Sequence, residues 1–232
     1  MAIMTKRFTE AVDYARVAHA AQTRKGTNIP YLYHLLGVAS LVIEFGGSED
    51  EAIAGLLHDV IEDCGETHRE QVHAQFGNVV AKIVEDCTDG TAEDKATHVD
   101  ARSKRQDWTR RKLAYLAQLA KADDATLLVS GCDKLHNARA ILVDLENPSV
   151  GEEVFNRFTG GKDATLSYYH SLAEIFTLRR APMARQLEQV AALLHERANV
   201  CERRGLPEHA LPDAGVGSRF ADPQNLHRAL NP

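Results

Sequence analysis

The sequence predicts an all-α fold, on three observations. Apolar residues recur at helical spacing along almost the whole chain, and no stretch sustains the alternation of a half-buried strand. Gly, Pro and Ser/Thr-x-x-Glu signals also interrupt the apolar runs at helix-sized intervals. A first helix is predicted from about Arg7 to Arg24, with Phe8, Ala11, Ala15 and Ala18 on one face, until Gly26, Asn28 and Pro30 break it. A second begins near Tyr33 or His34 and ends at Gly46-Gly47, where glycine takes the left-handed conformation that closes a helix. Ser48 with Glu51 reads as a capping box opening a third, which runs through Ala52, Ile53, Leu56, Leu57, Val60 and Ile61 to Gly65. Thr67 with Glu70 reads as a second box, opening a short helix to Phe76-Gly77, and Val79, Val80, Ile83 and Val84 mark the next.

The polar segment from Asp89 to Asp100 is predicted as a loop, followed by a helix from about Ala101 to Lys121. Leu127, Leu128, Val129, Leu135, Ile141 and Leu142 define an apolar helix that contains Asp133. Beyond Asn147-Pro148 a polar stretch leads to helices near Lys162 to Leu178 and Met183 to Arg204, broken around Pro182. From Gly205 the composition shifts to Pro, Gly, Asp and Asn, predicting an extended or mobile tail over 205–232 behind a single domain over 1–204. The expectation is a bundle of about eight to ten helices.

Composition narrows the function. Apolar residues at 44% and charged residues at 26% are ordinary for a globular protein. A net charge of -6 argues against a nucleic-acid partner, which requires cationic surface, whereas a phosphorylated small molecule requires only a local basic pocket. The four cysteines, Cys64, Cys87, Cys132 and Cys201, form no CxxC pair, so neither a zinc ribbon nor a disulfide framework is indicated. MAIMTKRFTE lacks an apolar signal core and no segment is apolar enough to span a bilayer, so the expected location is cytoplasmic, with no membrane partner.

The segment His58-Asp59-Val60-Ile61-Glu62-Asp63 places four ionisable groups inside an otherwise apolar helix. Burying such groups requires a compensating ion or network. In a regular helix Glu62 falls one turn beyond His58 and Asp63 one turn beyond Asp59, so all four can face one site. An imidazole beside a carboxylate suits a borderline divalent metal, and two ligands alone are insufficient. His34 and Asp133, on helices that must pack against the third, are the plausible additions. Two histidines and two aspartates leave room for water, which a divalent cation acidifies while polarising a phosphate, so phosphate hydrolysis is the natural reaction. An HD dipeptide by itself is common by chance, and the case rests on the whole constellation.

Four stretches resemble the HD-domain hydrolases of the alarmone (p)ppGpp, the Rel/SpoT hydrolase domain and its stand-alone small alarmone hydrolase relatives. They are Arg24-Lys25-Gly26 with Pro30-Tyr31-Leu32-Tyr33-His34, then Ala54 to Asp63, then Phe76-Gly77 through Thr88-Asp89, and finally Asp133-Lys134-Leu135-His136-Asn137-Ala138-Arg139 with Tyr168-Tyr169 downstream. The resemblance implies an HD-domain helical bundle in which His34, His58, Asp59 and Asp133 bind one Mn2+. It implies that Glu62 and Asp63 orient or deprotonate the attacking water. Attack would fall on the phosphorus carrying the ribose 3′ oxygen, releasing pyrophosphate from a purine nucleotide substrate. Arg24 would stack on the purine, Lys25 would hold the loop or phosphates, and Asn137 would contact substrate or hydrogen-bond Asp133. The bland reading of Arg24 and Lys25 is a pair of solvated cations at a helix end.

The chain departs from the family in two places. Ala140 stands where members often carry a small hydroxyl residue, which puts one phosphate contact in doubt. The Gly26 to Pro30 loop varies across the family near the base, leaving (p)ppGpp and (p)ppApp both open. Arg102, Lys104, Arg105, Arg110, Arg111 and Lys112 form a basic cluster that reads either as a phosphate funnel or as a solvated face. Two rival functions remain: an HD phosphohydrolase acting on deoxynucleotides or nucleoside monophosphates, and a regulatory module that binds nucleotides without turnover.

Overall fold

Helical periodicity is realised as ten α-helices and one 3-10 helix in the computed structural model, which describes residues 3–88 and 100–207. α1 (Lys6–Ala18) is capped by the Thr5 side chain, which accepts from the Arg7 N–H, and buries Ala11 and Ala15. It stops well short of the predicted Arg24. The backbone there pairs across a loop instead of along a helix: the Arg24 N–H donates to the Ile29 carbonyl at 2.8 Å and the Tyr31 N–H to that of Gln22 at 2.9 Å. An isolated antiparallel bridge joins Thr23 and Pro30 inside this loop.

α2 (Leu32–Glu44) ends as expected before Gly46, whose φ of 85° is open to glycine at little cost. The Ser48–Glu51 capping box is present and opens α3 (Glu49–Leu57). The predicted continuous third helix is interrupted, because His58-Asp59 forms a turn with Asp59 at φ -99° and ψ -1°, and the chain resumes as α4 (Val60–Cys64). Neighbouring residues on a regular helix do not face one another, and this break lets the two side chains converge.

α5 (Thr67–Phe76) corrects the second predicted capping box. Glu66 is already at helical angles (φ -62°, ψ -24°), so Thr67 sits inside the first turn and no side chain caps the end. α6 (Asn78–Cys87) buries Val80, Ile83 and Val84. The loop predicted from Asp89 to Asp100 lies, Asp100 apart, outside the described residues.

Asp100 caps α7 (Ala101–Leu119), and Asp123 caps α8 (Asp124–Glu146) by accepting from the Thr126 N–H. The stretch after Pro148, read as merely polar, contains a 3-10 helix (Gly151–Arg157) that buries Val154 and Phe155. α9 (Gly161–Leu178) follows. α10 (Ala184–Arg197) ends earlier than the predicted Arg204, because Asn199 at φ 55° and the Val200 N–H donating to the His195 carbonyl turn the chain back. Arg203 then pairs with Glu188 at 2.7 Å, and Leu206 is buried with its N–H on the Ser171 hydroxyl at 3.0 Å.

The core is one apolar cluster in which Leu35, Ile53, Leu56, Leu57, Leu135 and Phe176 are almost completely shielded. α2 packs against both α3 and α8, and α8 packs against α10. Three helices therefore bring His34, His58 and Asp133 to one place. No described helix is long and apolar enough to cross a membrane.

Candidate active site

His34 and His58 are buried, at 0% and 2% exposure, deep in the bundle. Such rings need every polar atom accounted for. His58 Nδ1 donates to the Gly55 carbonyl at 2.8 Å, and His34 Nδ1 meets His136 Nδ1 at 2.9 Å. The two Nε2 atoms make no hydrogen bond. They point instead toward carboxylates: Asp59 Oδ2 stands 2.9 Å from His58 Nε2 and 3.6 Å from His34 Nε2. Asp133 Oδ1 stands 3.1 Å from His34 Nε2 and 3.5 Å from His58 Nε2. Ligand atoms of His34, His58 and Asp59 all lie within 4.8 Å of one another, a group able to share a metal ion. Two buried, unengaged imidazole nitrogens between two carboxylates are the donor set a divalent cation takes, so the residues fit such an ion.

The electrostatics follow from this crowding. Burial alone would lower the basicity of His58, but the Asp59 and Asp133 carboxylates outweigh it and hold the ring well above the usual histidine range. Burial likewise opposes ionisation of Asp59 and Asp133. His58 overrides it for Asp59, and Lys134 and His58 override it for Asp133, so both carboxyls sit well below the ordinary aspartate value. Lys134 Nζ lies 2.5 Å from Asp133 Oδ2 and 4.9 Å from the centre of the Tyr115 ring. His136 is pushed down to about 4, chiefly by burial and then by His34 and Arg24, which leaves it a neutral ring.

Further residues hold the carboxylates in place. The Tyr31 hydroxyl donates to Asp59 Oδ2 at 2.6 Å, and burial followed by the Asp59 charge raises that phenol well above the tyrosine norm. Asn137 Nδ2 donates to Asp133 Oδ1 at 2.5 Å, and Arg24 Nη2 donates to Asn137 Oδ1 at 2.6 Å. Arg24 also lies over the Tyr31 ring, 5.6 Å from its centre. On α4, Asp63 Oδ2 accepts from Gln22 Nε2 at 2.8 Å, and Gln22 Oε1 meets His19 Nδ1 at 2.6 Å. The His19 ring stacks on Tyr31 at 5.2 Å.

The structure thus brings together His34, His58, Asp59 and Asp133, with Asn137 and Arg24 adjoining through hydrogen bonds. Glu62 is half-buried one turn beyond His58, and Asp63 is exposed but tied to the first loop. Lys25 is exposed on that loop. Arg24 does not stand at a helix end, so the solvated-cation reading does not describe it. Within the basic cluster, Arg110 and Arg111 pair with Asp107. Sequence reasoning assigned no role to His19, Gln22, Tyr31, Lys134 or His136. Three of these, Tyr31, Lys134 and His136, lie within three positions of a predicted ligand, and that proximity is their signal in the sequence; His19 and Gln22 reach the site only through the loop. A separate groove of about 460 Å³ beside α1 and α5, lined by residues including Asp13, Tyr14 and His68, shares no residue with the cluster.

The chain is 37% identical over 133 residues to guanosine-3′,5′-bis(diphosphate) 3′-pyrophosphohydrolase MESH1 of Xenopus tropicalis, covering 56% of this chain and 66% of that protein. It is 32% identical over 133 residues to the guanosine-3′,5′-bis(diphosphate) 3′-pyrophosphohydrolase of Aquifex aeolicus, covering 57% of this chain and 17% of that protein. The chain therefore spans less than two thirds of the length of either relative. A solved structure described as a metazoan ortholog of SpoT that hydrolyses ppGpp superimposes with a TM-score of 0.63 at 23% identity, covering 86% of this chain and 99% of that one, a likeness of fold. The family profile described as HD domain matches residues 11–160, well over half of the sequence, and the chain belongs to the HD-domain family.

Proposed function

We propose that the chain is a metal-dependent 3′-pyrophosphohydrolase of a purine nucleotide alarmone, (p)ppGpp or (p)ppApp. The observation that carries the reading is the pair of buried, unengaged imidazole nitrogens of His34 and His58 facing Asp59 and Asp133. Their relatives' names, both 3′-pyrophosphohydrolases, support the substrate class. His34, His58, Asp59 and Asp133 would hold one divalent ion, with Mn2+ the choice the family resemblance favours. When bound, the ion supplies Lewis acidity to water and to a phosphoryl oxygen.

The chain's own residues divide the remaining work. Glu62 and Asp63 accept the proton of the attacking water, and Gln22 aims Asp63 by donating to one of its oxygens. A bond forms from water oxygen to the phosphorus on the ribose 3′ oxygen while the bond from that phosphorus to the 3′ oxygen breaks. The 3′ oxygen leaves as a hydroxyl by taking that proton back from the carboxyl, and pyrophosphate departs. Arg24, placed over the Tyr31 ring, offers its guanidinium to the purine, with Lys25 beside it. Asn137 links Arg24 to Asp133, which couples the base end of the site to the metal end. The hydrolase unit is residues 1–204, and the burial of Leu206 with its N–H on the Ser171 hydroxyl carries the packed chain past the expected boundary at Gly205.

The test is to strip the full chain of metal, restore Mn2+, and incubate it separately with ppGpp, ppApp and dGTP, resolving products by anion-exchange chromatography. Pyrophosphate with GDP or ADP is the expected result and fixes the base preference. Turnover of dGTP alone would transfer the protein to the deoxynucleotide rival, and tight binding without turnover to the regulatory one.

A further inference from the structure

The two buried histidines are oriented by different means. His58 gives its Nδ1 proton to a main-chain acceptor, the Gly55 carbonyl at 2.8 Å. His34 has no carbonyl in that role; its Nδ1 stands 2.9 Å from Nδ1 of a side chain, His136, and the two ring centres are 4.9 Å apart. A divalent cation seated between His34 Nε2, Asp59 and Asp133 would take the Nε2 lone pair, which puts the ring proton on Nδ1 and makes His136 Nδ1 its acceptor. We infer that His136 is a positioning residue that fixes the tautomer and direction of His34, and so the affinity of the cluster for a divalent cation. This rests on the metal-site reading above.

The backbone has made room for this contact. A Cβ built on Gly37, one turn after His34 on α2, would fall 2.2 Å from His136 Nε2 and 2.4 Å from its Cδ2. Any larger residue at position 37 therefore requires the His136 ring to shift from its place. On its other side the ring is held by Tyr33, edge-on at 5.2 Å. His136 is thus seated between Gly37 and Tyr33 with one nitrogen on His34, an arrangement specific to a hydrogen-bond acceptor and not to a space-filling residue. Partners of this kind around metal-binding histidines typically change metal affinity about ten- to a hundredfold when removed.

The experiment measures Mn2+ affinity directly, by competition with a fluorescent chelator, on the full chain with no nucleotide present. His136→Ala is expected to weaken Mn2+ binding about ten- to a hundredfold, whereas His136→Gln, whose amide oxygen accepts from His34 Nδ1, retains affinity near the parent. Gly37→Ala is expected to mimic His136→Ala although alanine favours the helix, so helix loss is not the cause. Circular dichroism checks that each variant is folded, and if His136→Ala is not, the Gln and Gly37 variants decide. Affinity within about twofold of the parent for both His136→Ala and Gly37→Ala overturns the inference, as does equal weakening by His136→Ala and His136→Gln, which would mark packing alone. Failure of the parent itself to bind Mn2+ would sink the metal-site reading, an outcome separate from these.

Discussion

Loading the cluster with a divalent cation should expel a proton. His58 Nε2 lies 2.9 Å from Asp59 Oδ2 and 3.5 Å from Asp133 Oδ1, and these carboxylates outweigh the burial that would otherwise favour a neutral ring. The raised value means that the metal-free protein at neutral pH holds an imidazolium there, whereas a cation requires the Nε2 lone pair. Binding therefore releases about one proton from His58, and below its raised pKa the apparent affinity grows about tenfold, ~1.4 kcal/mol, for each pH unit gained. The assay is calorimetric titration of metal-free protein with Mn2+ at pH 7 in two buffers of different ionisation heat, the difference giving the proton count. The stability of the metal-free fold should respond to pH at both ends. Stability from the charged His58 is complete below the ordinary histidine value and fades as pH rises through the raised one, while that from Asp59 and Asp133 is complete above the ordinary aspartate value and fades in acid. A measured release of no proton at pH 7 would refute the argument, since the ring would already be neutral between its two carboxylates.

Asp63→Asn should lower kcat on the alarmone substrate about a hundred- to ten-thousandfold while leaving Mn2+ affinity unchanged, as stopped-time product assays and chelator competition will show. Tyr31→Phe removes the hydroxyl that donates to Asp59 at 2.6 Å, and calorimetry of the metal-free protein should find a loss of about 1 kcal/mol, or roughly 2–4 °C in Tm. Leu57→Ala empties a fully buried position beside His58, and urea unfolding should report a cost of about 2–5 kcal/mol with a lowered midpoint.

Much of this was legible in the sequence because helix-forming signals are local. The Ser48–Glu51 box, the end of α2 at Gly46 and the apolar run of α8 all follow from spacing along a few turns. The HD pair and its two distant partners were likewise readable, since charged groups inside apolar helices require one another, whereas Asn137 came from the family resemblance alone. What escaped was tertiary. The break at His58-Asp59 sits where the chain meets His34 on α2 and Asp133 on α8, and nothing in the local pattern around Leu57 announces it. α1 stops at Ala18 because Gln22 and Arg24 find backbone partners across a loop, although helical periodicity continues past that point. Thr67 fails as a cap since Glu66 is already helical. His136 and Gln22 reach the cluster through side-chain contacts with His34 and Asp63, residues far away in sequence, which no periodicity encodes.

The loop between α1 and α2 has a thermodynamic consequence. Tyr31 bonds to Asp59, Gln22 to Asp63 and Arg24 to Asn137, so its anchors end on or beside groups whose charge is altered by whatever enters the cluster. A segment tied down in this way cannot have a stability independent of occupancy: each ligand that changes the hold of Asp59 or Asp63 changes the free energy of opening the loop, and loosening the loop changes the ligand's affinity by the same factor. The Arg24 and Tyr31 amides, bonded to the Ile29 and Gln22 carbonyls, are built-in reporters of that exchange, and their protection from deuterium should follow the filling of a site those amides do not touch.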